Sequence, residues 1–281
     1  AILQQVDATG IALSQEVIDA RREELGLNQP FLIQYVRWLR GFLTGDLGVS
    51  YISGNDVFST FVSKLPATLF LTGSSMLLTV IISLPLGILA AIRQNKFTDY
   101  LIRTSSFIGS SLPNFFVALL LMYFLSIRLP VFPVISEGIN IKSIVLPTLT
   151  LGIAMSARYL RQIRAAVLEE LGKEYVAGEK ARGIEFSATL WKSVLRSCLV
   201  TILTLMALSI GSLLGGTAIV ESIFMWDGVG KLAVDAINMR DYPVIQAYVV
   251  WMAMIYVIVN LATDVIYRLI DPRIRLEGER R

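Results

Sequence analysis

The residues of this chain that could do chemistry are polar side chains set inside long apolar stretches: Ser110, Ser111, Asn114, Glu221, Asn260 and Asp264. Polar groups placed where a membrane would surround them are typical of a path or gate for a polar solute. Each also has a structural interpretation. Serines allow helices to pack closely, and Asp264 lies one helical turn from Arg268, with which it could form an ion pair. Both interpretations remain open from the residues alone.

Other chemistry is excluded by what the sequence lacks. Without histidine and with a single cysteine, Cys198, the chain can form neither a Ser/His/Asp site nor a nitrogen/sulfur metal cluster. Gly172-Lys173 and Gly230-Lys231 lack the upstream glycine and the following Ser or Thr of a phosphate-binding loop. We therefore predict a non-catalytic protein without a cofactor or metal of its own, which draws any energy from a partner.

The composition indicates a membrane protein. Hydrophobic residues make up 54% of the chain, charged residues 17%, and the mean hydropathy is +0.64, which is too apolar for a soluble chain of 281 residues. The net charge of +3 comes from basic residues that flank the apolar runs. Membrane lipid is thus the expected surrounding, and nucleic acid is not predicted as a partner.

Five apolar segments predict an all-α bundle with five transmembrane helices: residues 65–92, 104–127, 143–157, 197–220 and 242–263. Segment 143–157 is short, so its helix should project beyond the bilayer, with Arg158, Arg161 and Arg164 reaching water. Pro66 suits the first turn of its helix, and Pro113 should kink the second span. Gly211, Gly215 and Gly216 form a seam for close packing or a set of hinges.

Residues 1–64 are mostly polar and predict two short helices. Ser14 can cap the first helix, which ends near Gly26, and aromatic residues recur at helical spacing after Pro30. The domain prediction is an extracytoplasmic region at 1–64, a transmembrane domain at 65–271 and a cytoplasmic tail at 272–281.

The basic residues assign an orientation. Of the 25 Lys and Arg residues, 16 fall in the loop after residue 92, in the loop 158–196 and in the C-terminal tail, and the remaining nine fall on the other side. Because cytoplasmic loops carry the excess of Lys and Arg, we place the loop 158–196 and the C-terminus in the cytoplasm.

Within that loop, residues 174–184 form a polar segment between two membrane helices. The spacing predicts a short helix that presents Tyr175, Val176 and Ala181 on one side while Glu179, Lys180 and Arg182 face water. Gly183 stands where the helix should stop, free to adopt a positive φ.

This segment resembles the EAA loop of ABC importer permeases, whose coupling helix docks on the ATPase subunit. The resemblance assigns ATPase coupling to Glu174, Tyr175, Val176, Ala181, Arg182 and Gly183. The chain departs from peptide-type permeases at three positions: Glu179 replaces alanine, Ser193 stands near a usual histidine, and Thr201 near a usual proline.

A second block is similar to the C-terminal half of the peptide/nickel permease family: Gly215-Gly216, Glu221, Ile223-Phe224, Trp226, Gly228-Val229-Gly230, Asp235-Ala236, residues 240–246 and residues 271–275. Asp227 replaces the proline usual before the glycine. Residues 26–30 and 45–50 extend the likeness over nearly the whole chain.

The resemblance implies the permease subunit of an importer in the prokaryotic plasma (inner) membrane that moves short peptides or a nickel complex by alternating access. The implied partners are a second homologous permease, two subunits that bind ATP and Mg, and an extracytoplasmic solute-binding protein. The family also has a membrane helix before the external region, so we expect a sixth apolar stretch of about 20 residues before Ala1.

Two other classes of function remain as alternatives. One is a secondary transporter or channel driven by an ion gradient, which should carry ionisable residues near the bilayer centre. The other is an assembly subunit that transports nothing.

Overall fold

The computed structural model describes residues 15–24, 26–136 and 138–270, and the chain in these ranges is helical, as predicted. The elements, numbered in chain order, are α1 (Gln15–Glu24), α2 (Phe31–Thr44), α3 (Val57–Ile92), α4 (Phe97–Ser111), α5 (Asn114–Met122) with a π-helical extension (Tyr123–Arg128), α6 (Ile141–Leu171), α7 (Glu174–Ala181), α8 (Phe186–Ala188) with a π-helical extension (Thr189–Val194), α9 (Leu195–Ile223), α10 (Val229–Met239) and α11 (Tyr242–Ile270). Ser14 and the tail 272–281 lie outside the described residues.

The chain divides into two compact units. The first unit comprises Ala1–Ser63 and Asp235–Val249, and the second comprises Lys64–Val234 and Val250–Arg281. The predicted region 1–64 therefore shares its unit with a segment near the C-terminus. Within the first unit, the Asp241 carboxylate accepts hydrogen bonds from Ser50 Oγ at 2.5 Å and from the Tyr51 amide at 3.1 Å.

The two predicted N-terminal helices are present as α1 and α2. Rings of Phe31, Tyr35, Trp38 and Phe42 succeed one another along α2 with centroids 5.9–6.5 Å apart, because residues three or four apart share a helix face. α2 ends at Gly45, which has φ +83°.

Helices long and apolar enough to cross a membrane are α3, α6 and Tyr242–Thr263 of α11, among the residues described. α9 contains the predicted run 197–220 within 29 helical residues, although several of its side chains are outside the description. α6 has 31 residues and extends about 46 Å, so its basic end projects past the apolar part as expected.

The predicted span at 104–127 is broken at Pro113 and not only kinked there, although α4 and α5 taken together with the π-helical extension are long and apolar enough for one span. The structure has two helices, α4 and α5, bent by 97° at the break between them. Leu112 precedes proline and takes an extended conformation with ψ 130°, because the proline ring clashes with a helical residue before it. Pro113 then stands immediately before α5.

Pro66 also differs from its prediction. α3 begins at Val57, nine residues earlier, so Pro66 lies inside the helix. Asp56 explains the early start, because its carboxylate accepts a hydrogen bond from the Ser59 amide at 2.7 Å and so satisfies a free donor of the first turn.

Two apolar clusters form the core of the second unit. One lies around Trp226 and Phe224, with α3, α5, α6 and α9 contributing. The other lies around Ile163 and Val167 of α6, with α3, α9 and the π-helical extension of α8 contributing. The second cluster packs against the short helix α7. This helix lies in the segment 174–184, for which the sequence predicts the main function.

Candidate functional site

The segment 174–184 folds as the predicted short helix with a defined end. α7 covers Glu174–Ala181, and Gly183 follows it at φ +76°. The Gly183 amide donates to Lys180 O at 3.0 Å and the Ile184 amide donates to Glu179 O at 3.1 Å. These two bonds form a Schellman motif, which needs the left-handed conformation that glycine adopts without a Cβ penalty.

One side of α7 packs on its own chain, which corrects the predicted outward face. Tyr175 and Val176 are half-buried against the cluster around Val167, and only Ala181 of the predicted trio is exposed. The Tyr175 hydroxyl donates to Glu170 Oε1 at 3.0 Å, and Lys173 Nζ lies 2.5 Å from Glu170 Oε2. Burial, followed by the hydrogen bond to Glu170, raises the pKa of Tyr175 to about 12.

Glu179 also differs from its predicted position in water. The side chain is half-buried, and its Oε1 accepts a hydrogen bond from Ser193 Oγ at 2.7 Å. The hydroxyls of Thr189 and Ser193 lower the pKa of Glu179 below its usual range. Hence α7 is attached to the start of the α8–α9 segment as well as to α6.

The outward side of α7 consists of small and basic residues: Ala177, Gly178, Lys180, Ala181 and Arg182, together with Glu174 at the first turn. The small residues leave the backbone within reach of a neighbouring molecule. A Cβ on Gly178 would meet no atom within 4 Å in this chain. The exposed side is therefore a surface on which a partner could lie close to the helix.

The polar residues next to Pro113 occupy the facing ends of α4 and α5. The hydroxyls of Ser110 and Ser111 both donate to Phe107 O, at 3.0 and 2.9 Å, and Ser110 Oγ also accepts from Arg161 Nη1 at 2.9 Å. Asn114, on the other side of the break, lines a cavity of about 230 Å³ with Arg158. The break thus separates the three candidates, leaving only Asn114 in the cavity.

Glu221 is fully buried at the end of α9. Its Oε1 accepts from Thr68 Oγ1 at 2.8 Å, and its Oε2 accepts from the Lys231 amide at 2.9 Å. The amide of Val229 donates to Thr68 Oγ1 at 2.8 Å. The carboxylate and the hydroxyl therefore satisfy free amides at the start of α10 and join α3, α9 and α10.

Two glycines make this arrangement possible by close approach. A Cβ on Gly228 would lie 2.6 Å from the carboxyl carbon of Glu221, and a Cβ on Gly230 would lie 2.6 Å from Ala218 Cα. Real Cβ atoms do not come so close, so this close approach to α9 requires glycine at positions 228 and 230. Trp226 is buried beside them and donates from Nε1 to Ala67 O at 2.9 Å.

The candidates on α11 are less well defined. Asn260 is half-buried. The side chains of Asp264 and Arg268 lie outside the described residues, as do those of several residues near Gly215 and Gly216. Gly211 is packed directly against the ring of Tyr256, which supports the interpretation of a close packing seam at that position.

Sequence reasoning missed a buried ion pair between α4 and α6. Asp99 is fully buried and accepts from Arg164 Nε at 2.7 Å and Nη2 at 2.8 Å. The Asn95 amide also donates to Asp99 at 2.9 Å. A signal was available, because Asp99 is the only acidic residue between positions 57 and 136.

Among the described residues, no group of three or more His, Cys, Asp or Glu is arranged to hold a metal ion.

Comparisons with known proteins agree with this architecture. Residues 83–276 match the family model described as binding-protein-dependent transport system inner membrane component. The glutathione transport system permease protein GsiC of Escherichia coli is 36% identical over 260 residues, which cover 92% of this chain and 85% of the relative. GsiC of Salmonella typhimurium is 36% identical over the same shares of the two chains.

Solved structures share the fold. A chain of the MetNI methionine ABC transporter in an inward-facing conformation has a TM-score of 0.62 at 20% identity, covering 75% of this chain and 96% of that chain. An amino acid ABC transporter with histidines has a TM-score of 0.57 at 19% identity, covering 76% and 94%. Neither the match nor the helical architecture favours an ion-gradient transporter or a channel. The chain belongs to the family of binding-protein-dependent transport system inner membrane components and is a permease subunit of an ABC importer.

Proposed function

We propose that this permease works in a complex with a second homologous permease, two ATP-binding subunits and an extracytoplasmic solute-binding protein, and that it imports short peptides. Glutathione is the substrate named for the curated relatives, so a tripeptide of that kind is the expected size and chemistry. A nickel complex was the other substrate class that the sequence resemblance implied, and the two relatives described above are glutathione permeases. ATP and Mg belong to the partner subunits in this proposal.

The observation that carries the proposal is the construction of α7. The helix is held on one side by the Tyr175–Glu170 and Glu179–Ser193 hydrogen bonds and offers small and basic residues on the other. A helix held in this way moves with α6 and α9 when a partner displaces it. We infer that ATP-driven movement of the partner reaches the membrane helices through this attachment, with Glu174, Ala181, Arg182 and Gly183 at the contact and Tyr175 and Val176 on the attached side.

Purification and uptake assays distinguish this proposal from the secondary transporter and from the assembly subunit. The complex isolated in mild detergent should contain an ATPase subunit, and proteoliposomes made with the binding protein should accumulate glutathione only with ATP. Accumulation driven by an ion gradient without ATP would establish the secondary transporter instead. An isolated subunit with no ATPase and no uptake would favour an assembly role.

Orientation provides a separate prediction, because 16 of the 25 basic residues are assigned to one side. In a background of Cys198→Ser, Arg182→Cys should resist an impermeant maleimide in intact cells and react after permeabilisation. Met225→Cys should react in intact cells. Met225 is 46% exposed, whereas its neighbour Trp226 is only 1% exposed, so Met225 is the better position for a reporter. Ready labelling at position 182 from outside would reverse the topology.

A further inference from the structure

Three arginines near the basic end of α6 differ in their partners. Arg164 forms a bidentate pair with Asp99, and Arg161 donates to Ser106 and Ser110, so both bind α4. Arg158 makes no hydrogen bond or ion pair with the part of the chain that the structure describes, and its side chain is exposed. With 3.6 residues per turn, the direction of Arg158 around the axis of α6 differs by about 60° from that of Arg161 and by about 120° from that of Arg164. Arg158 therefore points away from α4.

Arg158 lines the cavity of about 230 Å³ that α5, α6 and α9 enclose in part. Most of the other lining residues are apolar, among them Leu151, Met155 and Leu213. The Tyr159 hydroxyl donates to Leu205 O at 3.0 Å and is therefore occupied. The side-chain amide of Asn114 has no hydrogen bond to the described residues. The cavity therefore contains one cation and one side-chain amide that are available to a ligand.

The surroundings decide which ligand suits these two groups. A guanidinium beside apolar walls, directly after the uncharged run 143–157, is costly unless it is paired or opens on a water-filled space. Its planar fork matches a carboxylate in two parallel hydrogen bonds, and the Asn114 amide can donate one more. The volume corresponds to roughly seven or eight water molecules, so it fits one end of a peptide rather than a whole tripeptide.

We propose that this cavity is a binding site in the translocation path for the C-terminal carboxylate of the transported peptide, with Arg158 as the principal binding residue and the Asn114 side-chain amide as a second donor. The inference rests on the proposed function and adds to it a chemical requirement on the substrate within the membrane domain. The break at Pro113 contributes to this site, because it places Asn114 at the start of α5, where it lines the cavity together with α6.

The test uses the complete complex in proteoliposomes, with saturating binding protein already loaded with ligand, so that the rates report steps after delivery. The two probes are glutathione and its glycyl ethyl ester, in which the C-terminal carboxylate is blocked and the γ-glutamyl carboxylate remains free. Arg158→Gln should slow ATP-dependent uptake of glutathione about tenfold and uptake of the ester less than about twofold, since charge-assisted hydrogen bonds are among the strongest. Arg158→Lys, which keeps the charge but loses the fork, should recover part of the rate.

Arg93→Gln is the matched control, because Arg93 is exposed in the loop after α3 and lies outside the cavity. It removes the same charge and should transport both probes at the wild-type rate. Equal slowing of both probes by Arg158→Gln, or no slowing of either, would overturn the carboxylate site.

Two further outcomes are distinguishable from that failure. A wild-type complex that takes up no glutathione with ATP contradicts the proposed substrate itself, and the site falls with it. An anionic lipid headgroup is the other anion that Arg158 could bind. If Arg158→Gln slows uptake only in vesicles that contain phosphatidylglycerol, and not in pure phosphatidylcholine, the arginine binds lipid and the proposal is overturned.

Discussion

Replacement of Gly183 by leucine is expected to abolish ATP-driven uptake, while replacement by asparagine should leave most of it intact. Gly183 has φ +76°, and a Cβ there would meet nothing within 4 Å. The effect is therefore conformational: an L side chain in the left-handed region costs about 1–2 kcal/mol, whereas asparagine adopts that region comparatively often. Leucine should displace Gly183 and Ile184 from their bonds to the end of α7 and change the surface offered to the ATPase.

The measurement is substrate uptake together with ATPase activity of the reconstituted complex. We expect Gly183→Leu to insert in the membrane normally, because it changes no span, and to lose either ATPase association or the link between hydrolysis and uptake. Glu174→Ala should act in the same direction but mildly, since one exposed charge at a helix start is worth about 1 kcal/mol or less. A leucine variant that assembles and transports at the wild-type rate would remove α7 from the coupling role.

The second large effect is expected at Glu221. Glu221→Ala leaves the Thr68 hydroxyl and the Lys231 amide without their acceptor in a buried site and opens a space beside Gly228. Each buried group left without a partner costs about 1–3 kcal/mol, so the loss of acceptor for two groups should lower the free energy of unfolding by roughly 2–6 kcal/mol. The loss should be measurable as a lower midpoint of thermal unfolding in detergent.

Asp227→Asn supplies the control for Glu221. Asp227 is near Glu221 in the sequence and forms an ion pair with Lys64, but its side chain is 66% exposed. Exposed ion pairs contribute little, about 0–1 kcal/mol, so this variant should unfold close to the wild type. Equal destabilisation by the two variants would mean that the buried carboxylate does not hold the start of α10.

The sequence predicted most of the helices because apolar runs and basic flanks are local features. It predicted the short helix after Glu174 and the positive φ of Gly183 for the same reason. It could not predict which side of α7 faces the chain, since Tyr175 and Val176 are equally suited to a partner surface and to the cluster around Val167. Eight residues of amphipathic spacing define a face but not what covers it.

The remaining differences come from long-range contacts. Asp99 and Arg164 are 65 positions apart, and Thr68 and Glu221 are 153 apart, so no periodicity connects them. Pro113 illustrates a different limit. A proline predicts a disturbed helix, but whether the result is a kink or the observed 97° bend depends on packing of α4 and α5 against α6. The same long-range packing sets the position of Asn114 in the cavity with Arg158.

Photocrosslinking from the exposed side of α7 tests the central claim most directly. A photoreactive group attached to Ala181→Cys in a Cys198→Ser background should crosslink to an ATPase subunit of the assembled, ATP-hydrolysing complex. The same group at Val131→Cys, 60% exposed in the loop between α5 and α6, should not. An ATPase crosslink at position 181 and none at 131 is the predicted result. A hydrolysing complex that gives no ATPase crosslink at 181 would contradict the assignment of α7 as the coupling helix.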